Sequence, residues 1–291
     1  MADHKFPFLV SSKPNQQEII HLTPQEAGWD YLHFSVRRMQ SGQTWEFDTA
    51  ENELALVVLG GVGAVQSSRG SFPHLGRRTD VFSGMPYSLY LPWRTRFTVQ
   101  AVSKELEIAC AWCPTDQDHP PRLVTPAKVE VEIRGGENAT RQINKMLPPG
   151  FDCQRLVAVE VYTPSGNWSS YPPHKHDVNR LDKNGSLLEA DLEEIYFYKF
   201  NRPEGYAYQR VYTGDGRLDE LMLVHENQLV MVPEGYHPVV AAPGYNAYYL
   251  NFLAGGVQSL AATDDPQYTW VKSTWQKKDP RLPLVSMEME E

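Results

Sequence analysis

The sequence predicts an all-β fold in which one unit occurs twice. Three observations carry this: short apolar runs of strand length, dense turn signals, and a second half that retraces the first. The runs at residues 54–59, 88–91, 156–161, 207–212 and 247–252 are rich in Leu, Val and Tyr, residue types that suit a pleated, half-buried surface. The 22 prolines and 20 glycines punctuate them, and short strands divided by such residues favour an antiparallel sandwich or barrel. Helical periodicity is scarce, and its best candidate spans residues 139–146 with Asn138 as a possible N-cap.

The repeat emerges when the first half is shifted by 141 residues, which lays Glu53 on Glu194, Pro92 on Pro233 and His33 on His174. The distance from glutamate to proline is 39 residues in both halves. In this register Ser35 stands at the place of His176, and Arg96 at that of His237. The expected organisation is a degenerate N-terminal barrel over residues 1–135, a linker with a short helix over 136–150, and a C-terminal metal-binding barrel and tail over 151–291. The tail from Pro280 onward has no strong periodicity and could pack across a neighbouring surface.

Composition bounds the function. With 291 residues, 41% of them hydrophobic, the chain can bury a proper core without staples. Cys110, Cys113 and Cys153 are too few for a secreted disulfide framework, so a reducing cytoplasm is the expected compartment. Cys110 and Cys113 have redox-motif spacing but lie in a strand-like run, where packing is the simpler role. The segment from Met1 to Phe6 has no leader-like apolar run, and no stretch approaches the roughly 18 apolar residues of a membrane helix. A net charge of -9 argues against a general nucleic-acid surface. An anionic substrate would have to be gripped by particular cations.

The chemistry-bearing pattern lies in the second half. His174 and His176 flank Lys175 after Pro172 and Pro173. Side chains alternate along a strand, so the two imidazoles share a face and could share a divalent ion while Lys175 points away. A later aromatic strand opens on Glu194 and puts Glu194, Tyr196 and Tyr198 on one face. The apolar run at 228–232 enters a turn at Pro233 and Gly235 and reaches His237. Three imidazoles and one carboxylate would leave open positions for a substrate. Glu189 and Glu193 are rivals to Glu194; alternation places Glu193 on the opposite face.

The order of His174 and His176, then Glu194, then Pro233, Gly235 and His237 resembles the two signature motifs of the cupin superfamily, whose members are double-stranded β-helix barrels; a duplicated one is a bicupin. More specifically, residues 172–177, 209–213, 232–238 and 243–251, together with 81–92, resemble the 5-deoxy-glucuronate isomerase family of inositol catabolism, relatives of the hexuronate ketol-isomerases. This resemblance implies a metal held by His174, His176, Glu194 and His237, and conversion of 5-deoxy-glucuronate to 2-deoxy-5-keto-gluconate. One departure is the insertion at 177–193 between the histidine pair and the glutamate.

Moving a carbonyl between adjacent carbons requires a Lewis acid for the enediolate and a base for the proton. Zinc heads the metals this donor set would take, with manganese, iron and nickel behind it. Tyr196, Tyr198 and Tyr212 are candidate bases, beside metal-bound hydroxide. Arg210 is the expected partner of the substrate carboxylate, because its fork can donate two parallel hydrogen bonds, with Arg180 and Lys175 as second choices. A ferrous dioxygenase would use the same ligands, and a non-catalytic sugar-acid-binding cupin would keep the pocket without the reaction. A homo-oligomer, a dimer or larger, is expected.

Overall fold

The computed structural model describes residues 8–287; the N-terminal residues read above for a leader and the last four of the tail lie outside the described residues. The chain's regular secondary structure is almost entirely antiparallel strand, as expected. Among the described residues there are five sheets, four of which stack in layers while the fifth is the two-stranded pair His174–Lys175 and Thr263–Asp264. The N-terminal half contributes a large sheet of Arg122–Val124, Ser88–Leu91, Asn52–Gly60, Glu105–Pro114, His33–Gln40 and Glu18–Leu22 in that spatial order. Beside it lies a small sheet of Thr44–Asp48, Arg96–Ala101, Gly63–Ser67 and Gly70–Leu75.

The second half repeats the plan. Its large sheet runs Leu9–Val10, Leu229–Val232, Leu187–Phe200, Ala247–Gly255, Val157–Thr163, Arg141–Leu147 and Glu130–Arg134, with Asp177–Leu181 pairing off the path to Leu187–Phe200. Its small sheet is Trp168–Ser169, Val239–Ala241, Tyr206–Tyr212 and Asp219–His225.

The two large sheets are the middle layers, back to back. One face of each fills a shared core: Phe34, Val57 and Ala109 from the first sheet meet Phe197, Leu250 and Phe252 from the second. The other faces pack on the small sheets, Leu56 and Ile108 toward Val65 and Val99, and Val159 and Tyr249 toward Val211 and Val239. This explains why the central strands read as unbroken apolar runs rather than alternating ones. Ala247–Gly255 is buried at every position because both of its faces are covered. Cys110 and Cys113 are free, buried and directed to opposite faces of one strand, so their spacing serves packing.

Two departures from the sequence reading concern the linker and the repeat. The expected helix at 139–146 is a single 3-10 turn, Glu137–Ala139, followed by the strand Arg141–Leu147. That strand pairs with Glu130–Arg134 on one side and Val157–Thr163 on the other. Sheet pairing on both edges overrides a weak local helical preference. Residues 130–147 thus extend the large sheet of the C-terminal half.

The repeat is real, but its register shifts by one within a central strand. Ser88–Leu91 and Glu105–Pro114 do correspond to residues 141 further on, with the same faces inward. In the strand between them in the sheet, ladder partners and buried faces instead pair Glu53 with Glu193, and Leu54 with Glu194. The two matched glutamates perform the same task in mirror fashion. Glu53 accepts backbone N–H bonds from Gln154, Arg155 and Leu156 at 2.7–2.9 Å, and Glu193 accepts them from Asp30, Tyr31 and Leu32 at 2.5–3.0 Å. Each half therefore holds a loop of the other.

His33 is not the counterpart of His174. It lies across from Trp112 on a strand whose equivalent is Val157–Thr163, and its ring stacks on Trp112 at 5.0 Å. Arg96 is a surface residue bonded to Asp48 at 2.9 Å. In the first half only residues 49–51 separate Thr44–Asp48 from Asn52–Gly60, so the arm that carries His174 and His176 has no equivalent there.

The tail packs on this frame as far as it is described: Leu284 N–H donates to Gln142 Oε1 at 2.7 Å, and Gln142 Nε2 donates to the Val285 carbonyl at 2.8 Å. Among the described residues no helix is long and apolar enough to cross a membrane.

A second tie crosses the shared core. Arg78 donates to both oxygens of Glu160 at 3.1 and 3.0 Å, with both side chains almost fully buried. The Arg78 guanidinium also caps the Val58 carbonyl at 2.9 Å, and Tyr248 donates to Glu160 at 3.1 Å. Arg78→Met should destabilise the protein by about 3–5 kcal/mol in urea unfolding, because it leaves a buried carboxylate unpaired. The double change Arg78→Met with Glu160→Leu should recover part of that loss, and a single-variant loss below about 1 kcal/mol would show that water reaches the pair.

Candidate metal centre

Three segments converge inside the C-terminal half. The arm His174–Lys175 pairs with Thr263–Asp264, and Asp177–Leu181 folds against Leu187–Phe200. Because Asp177 lies across from Asp191, His176 is brought beside the strand that carries Glu194. His237 follows the turn after Leu229–Val232 and precedes Val239–Ala241, where the chain passes from the large sheet to the small one.

His176, Glu194 and His237 are buried, and one donor atom from each lies within 4.8 Å of the others. His176 Nε2 is 2.8 Å from Glu194 Oε2, and His237 Nε2 is 3.3 Å from the same oxygen. The His174 ring stands edge-on to His237 with centroids 4.8 Å apart, and the His176 ring is 5.0 Å from that of His237. Backbone carbonyls fix the far nitrogens: His176 Nδ1 is 3.0 Å from the Leu192 carbonyl, and His237 Nδ1 is 2.9 Å from that of Gly235. With Nδ1 as donor in each, both Nε2 atoms face inward; without an ion the His176 Nε2 carries a proton toward Glu194, and a bound cation would take that proton's place.

His237 Nε2 is a buried nitrogen without a hydrogen bond among the described residues. An orphaned buried acceptor is costly unless something occupies it. The donor set thus fits a divalent cation. Electrostatics agrees: burial, then the nearby His237 and His176, push His174 well below its ordinary range, which keeps it neutral. Burial opposes the charge on Glu194, yet the hydrogen bond from His176 and the neighbouring His237 hold its carboxyl down to about 2. Burial also opposes charging His176, but the Glu194 bond outweighs it and raises that imidazole.

The cluster opens into a cavity of about 420 Å³, whose walls include Arg141, Tyr171, Leu253, Asp264, Lys272 and Trp275. Glu189 and Glu193 are engaged elsewhere. Lys175 turns away from the cluster, as alternation predicts, and pairs with Asp177 and with Glu189 at 2.7 Å. Burial raises the Glu193 carboxyl to about 7 against its three backbone bonds, on the far face of the strand.

The expected base and carboxylate-binding residues are placed less favourably. Arg210 lies outside the cavity wall, bonded through Nε and Nη2 to Asp219 on the next strand at 2.7 and 2.8 Å and stacked 4.0 Å over Tyr212. Arg180 is half exposed and donates to Thr263 Oγ1 at 2.7 Å. Tyr212 donates to Asp265 at 2.6 Å. Tyr198 donates to Gln209 at 2.8 Å. Tyr196 comes nearest the cluster, its ring 5.8 Å from that of His237 and its hydroxyl 3.2 Å from Ser170 Oγ. Burial, then the Glu194 charge, push the Tyr196 phenol well upward, so it would stay protonated and serve as a donor rather than a base.

The model of the KduI/IolB family matches residues 8–271. The chain belongs to this family. It is 42% identical to a 5-deoxy-glucuronate isomerase of Geobacillus thermodenitrificans, over 91% of this chain and 95% of the relative. It is 34% identical to the protein of that name in Bacillus subtilis strain 168, over 88% of this chain and 94% of the relative. The crystal structure of an IolB-like protein from Salmonella typhimurium superposes with a TM-score of 0.87 at 37% identity, covering 91% of this chain and 99% of that one. Bacillus subtilis oxalate decarboxylase shares the cupin fold at 12% identity and a TM-score of 0.62, over 89% and 79% of the two chains. The duplicated cupin architecture read from the sequence is that of this KduI/IolB chain.

Gly235 joins the arm to the turn. Its N–H donates to Asp177 Oδ2 at 2.8 Å, and its carbonyl holds His237. At φ +86° it adopts the left-handed conformation, and a Cβ there would meet the Tyr212 carbonyl oxygen at 2.5 Å. Gly235→Ala should weaken metal binding by roughly 10-fold in a chelator competition titration, through the lost orientation of His237. Arg210→Met should leave KM within about twofold and cost no more than about 1 kcal/mol of stability, as befits a part-exposed pair.

Proposed function

We propose that the chain is a metal-dependent aldose-ketose isomerase that converts 5-deoxy-glucuronate to 2-deoxy-5-keto-gluconate. The single observation that carries the metal part is the buried group of His176, Glu194 and His237 with His174 beside it, in which the His237 Nε2 lone pair has no protein partner. Membership of a family whose curated relatives bear the isomerase name supports the reaction. The metal ligands we assign are His174, His176, Glu194 and His237.

When bound, a divalent ion on three neutral imidazoles and one carboxylate would keep a net positive charge and supply the Lewis acidity that lowers the energy of an enediolate. Zinc suits this nitrogen-rich set best. Substrate and product are isomers, so the reaction requires only that a proton leave the hydroxyl-bearing carbon and return to its carbonyl neighbour while the oxygens exchange roles. The protein contributes placement. Tyr171, Leu253 and Trp275 give the cavity wall an apolar part beside the histidines. Glu194 lines the same cavity and, held ionised beside His176, would be the one anionic ligand of the set. Tyr196 lies outside the cavity wall, its hydroxyl kept protonated beside Ser170 and its ring packed 5.8 Å from that of His237.

His176→Ala should strip the metal, as read by elemental analysis, and lower turnover of 5-deoxy-glucuronate by more than about 100-fold while the fold remains. Full activity in a metal-free variant would rule this mechanism out. His33→Ala, by contrast, should leave metal content and activity unchanged, since His33 stacks on Trp112 outside the cluster. Turnover under strict exclusion of oxygen separates the isomerase from an oxygen-consuming iron enzyme, which would stop.

A further inference from the structure

The cations around the cavity can be sorted by whether a carboxylate already holds them. Arg134 is paired with Glu132 through two bonds at 2.7 and 2.8 Å. Lys272 is paired with Asp264. Lys175, Arg180 and Arg210 lie outside the wall, each with a carboxylate within 4.0 Å. Arg141 differs from all of these. It lines the cavity with His174, His176 and Glu194, is only 5% exposed, and makes no ion pair with any described residue.

Its hydrogen bonds are few and one-sided. Nη1 donates to the carbonyls of Ala139 at 3.3 Å and Tyr171 at 3.2 Å, and no bond from Nε or Nη2 to a described residue exists. The two carbonyls anchor one corner of the guanidinium and leave its other edge free. A buried guanidinium cannot shed its proton, so an unpaired one is strongly disfavoured unless an anion arrives to meet it. The consequence shows in its acidity: burial pulls Arg141 down to about 10, a direction opposite to that of the paired Arg210. Gly135 lies against the same group, where a Cβ would come 3.0 Å from Nη1.

We propose that Arg141 receives the carboxylate of the sugar acid, through two parallel hydrogen bonds from its free edge, and so sets the specificity of the cavity for acids over neutral sugars. This rests on the sugar-acid reading of the site above. The carboxylate at Arg141 and the carbonyl end at the histidine cluster would align the substrate along one cavity whose size, about 420 Å³, suits a six-carbon ligand. The arginine fork matches a carboxylate in a way a lysine cannot. Binding would also neutralise a buried cation, so the acid is preferred over an alcohol of the same shape on both counts.

The test uses the full chain loaded with zinc, and gluconate as a sugar acid that cannot isomerise, with glucitol as its neutral counterpart. Calorimetry should give gluconate binding that weakens roughly 10- to 100-fold in Arg141→Met, the effect of removing a charge-assisted bidentate pair. Glucitol binding should not change. KM for 5-deoxy-glucuronate should rise by the same factor with kcat largely kept, and Arg141→Lys should fall between the two. Should Arg141→Met fail to fold, Arg141→Lys decides alone by its KM. Absence of gluconate binding to the wild-type protein, or unchanged gluconate affinity and KM in a folded variant, overturns the assignment. Arg141-dependent gluconate binding in a protein that never converts 5-deoxy-glucuronate would keep the anion site and remove the isomerase reading. Conversion with KM unchanged in both variants would do the reverse.

Discussion

The back-to-back contact of the two large sheets governs everything else in the molecule. Because each of these sheets is covered on both sides, every residue of a central strand is committed either to the shared core or to the core of its own half. A slip of one residue would exchange the two sets. Leu187–Phe200 shows what depends on this: Ile195 and Phe197 join the shared core, while Tyr196 and Tyr198 face the small sheet of their own half. Parity then sends Glu193 to the loop of the other half and Glu194 to the histidines. Two adjacent carboxylates acquire opposite tasks from the pleat alone.

The same constraint accounts for the difference between the halves. Glu53 and Glu193 are equivalent structural anchors, each satisfied by three backbone N–H groups across the interface. One position along, the first half has Leu54 in an apolar core and the second has Glu194. A leucine there lets the first half close around hydrocarbon. The second half must instead satisfy a buried carboxylate, and does so with imidazoles from an arm that the first half lacks and from a turn pinned by Asp177 and Gly235.

Much of this was legible in the sequence. Alternation gave the shared face of His174 and His176 and set Lys175 apart, and it separated Glu194 from Glu193. The gapless repeat located the corresponding central strands but misaligned Asn52–Gly60 by one residue, since matching Glu53 to Glu194 by identity ignores the parity that pairs Glu53 with Glu193. The short segment at 139–146 read as helix because its polar and apolar residues fit either period. The same misreading hid Arg141, which as part of a strand shares a face with Ile143 toward the core of its half. Arg210 looked suited to the substrate by residue type, yet Asp219 on the adjacent strand claims it, and such a pairing depends on cross-strand register.

The sequence by itself determined the fold class and the duplication and singled out His176, Glu194 and His237, which converge, with the His174 ring beside them, because these follow from local periodicity and from residue types that are expensive to bury without purpose. Tertiary structure decided which cations were already neutralised and which was left without a counter-ion. That distinction depends on which side chains meet once the strands are laid side by side: Arg134 reaches Glu132 on its own strand and Arg210 reaches Asp219 on the next, whereas Arg141 is turned into the cavity. Arg134, Arg141 and Arg210 are the same residue type on similar strands; only the packed sheets reveal that two have carboxylate partners and the third faces a cavity with none.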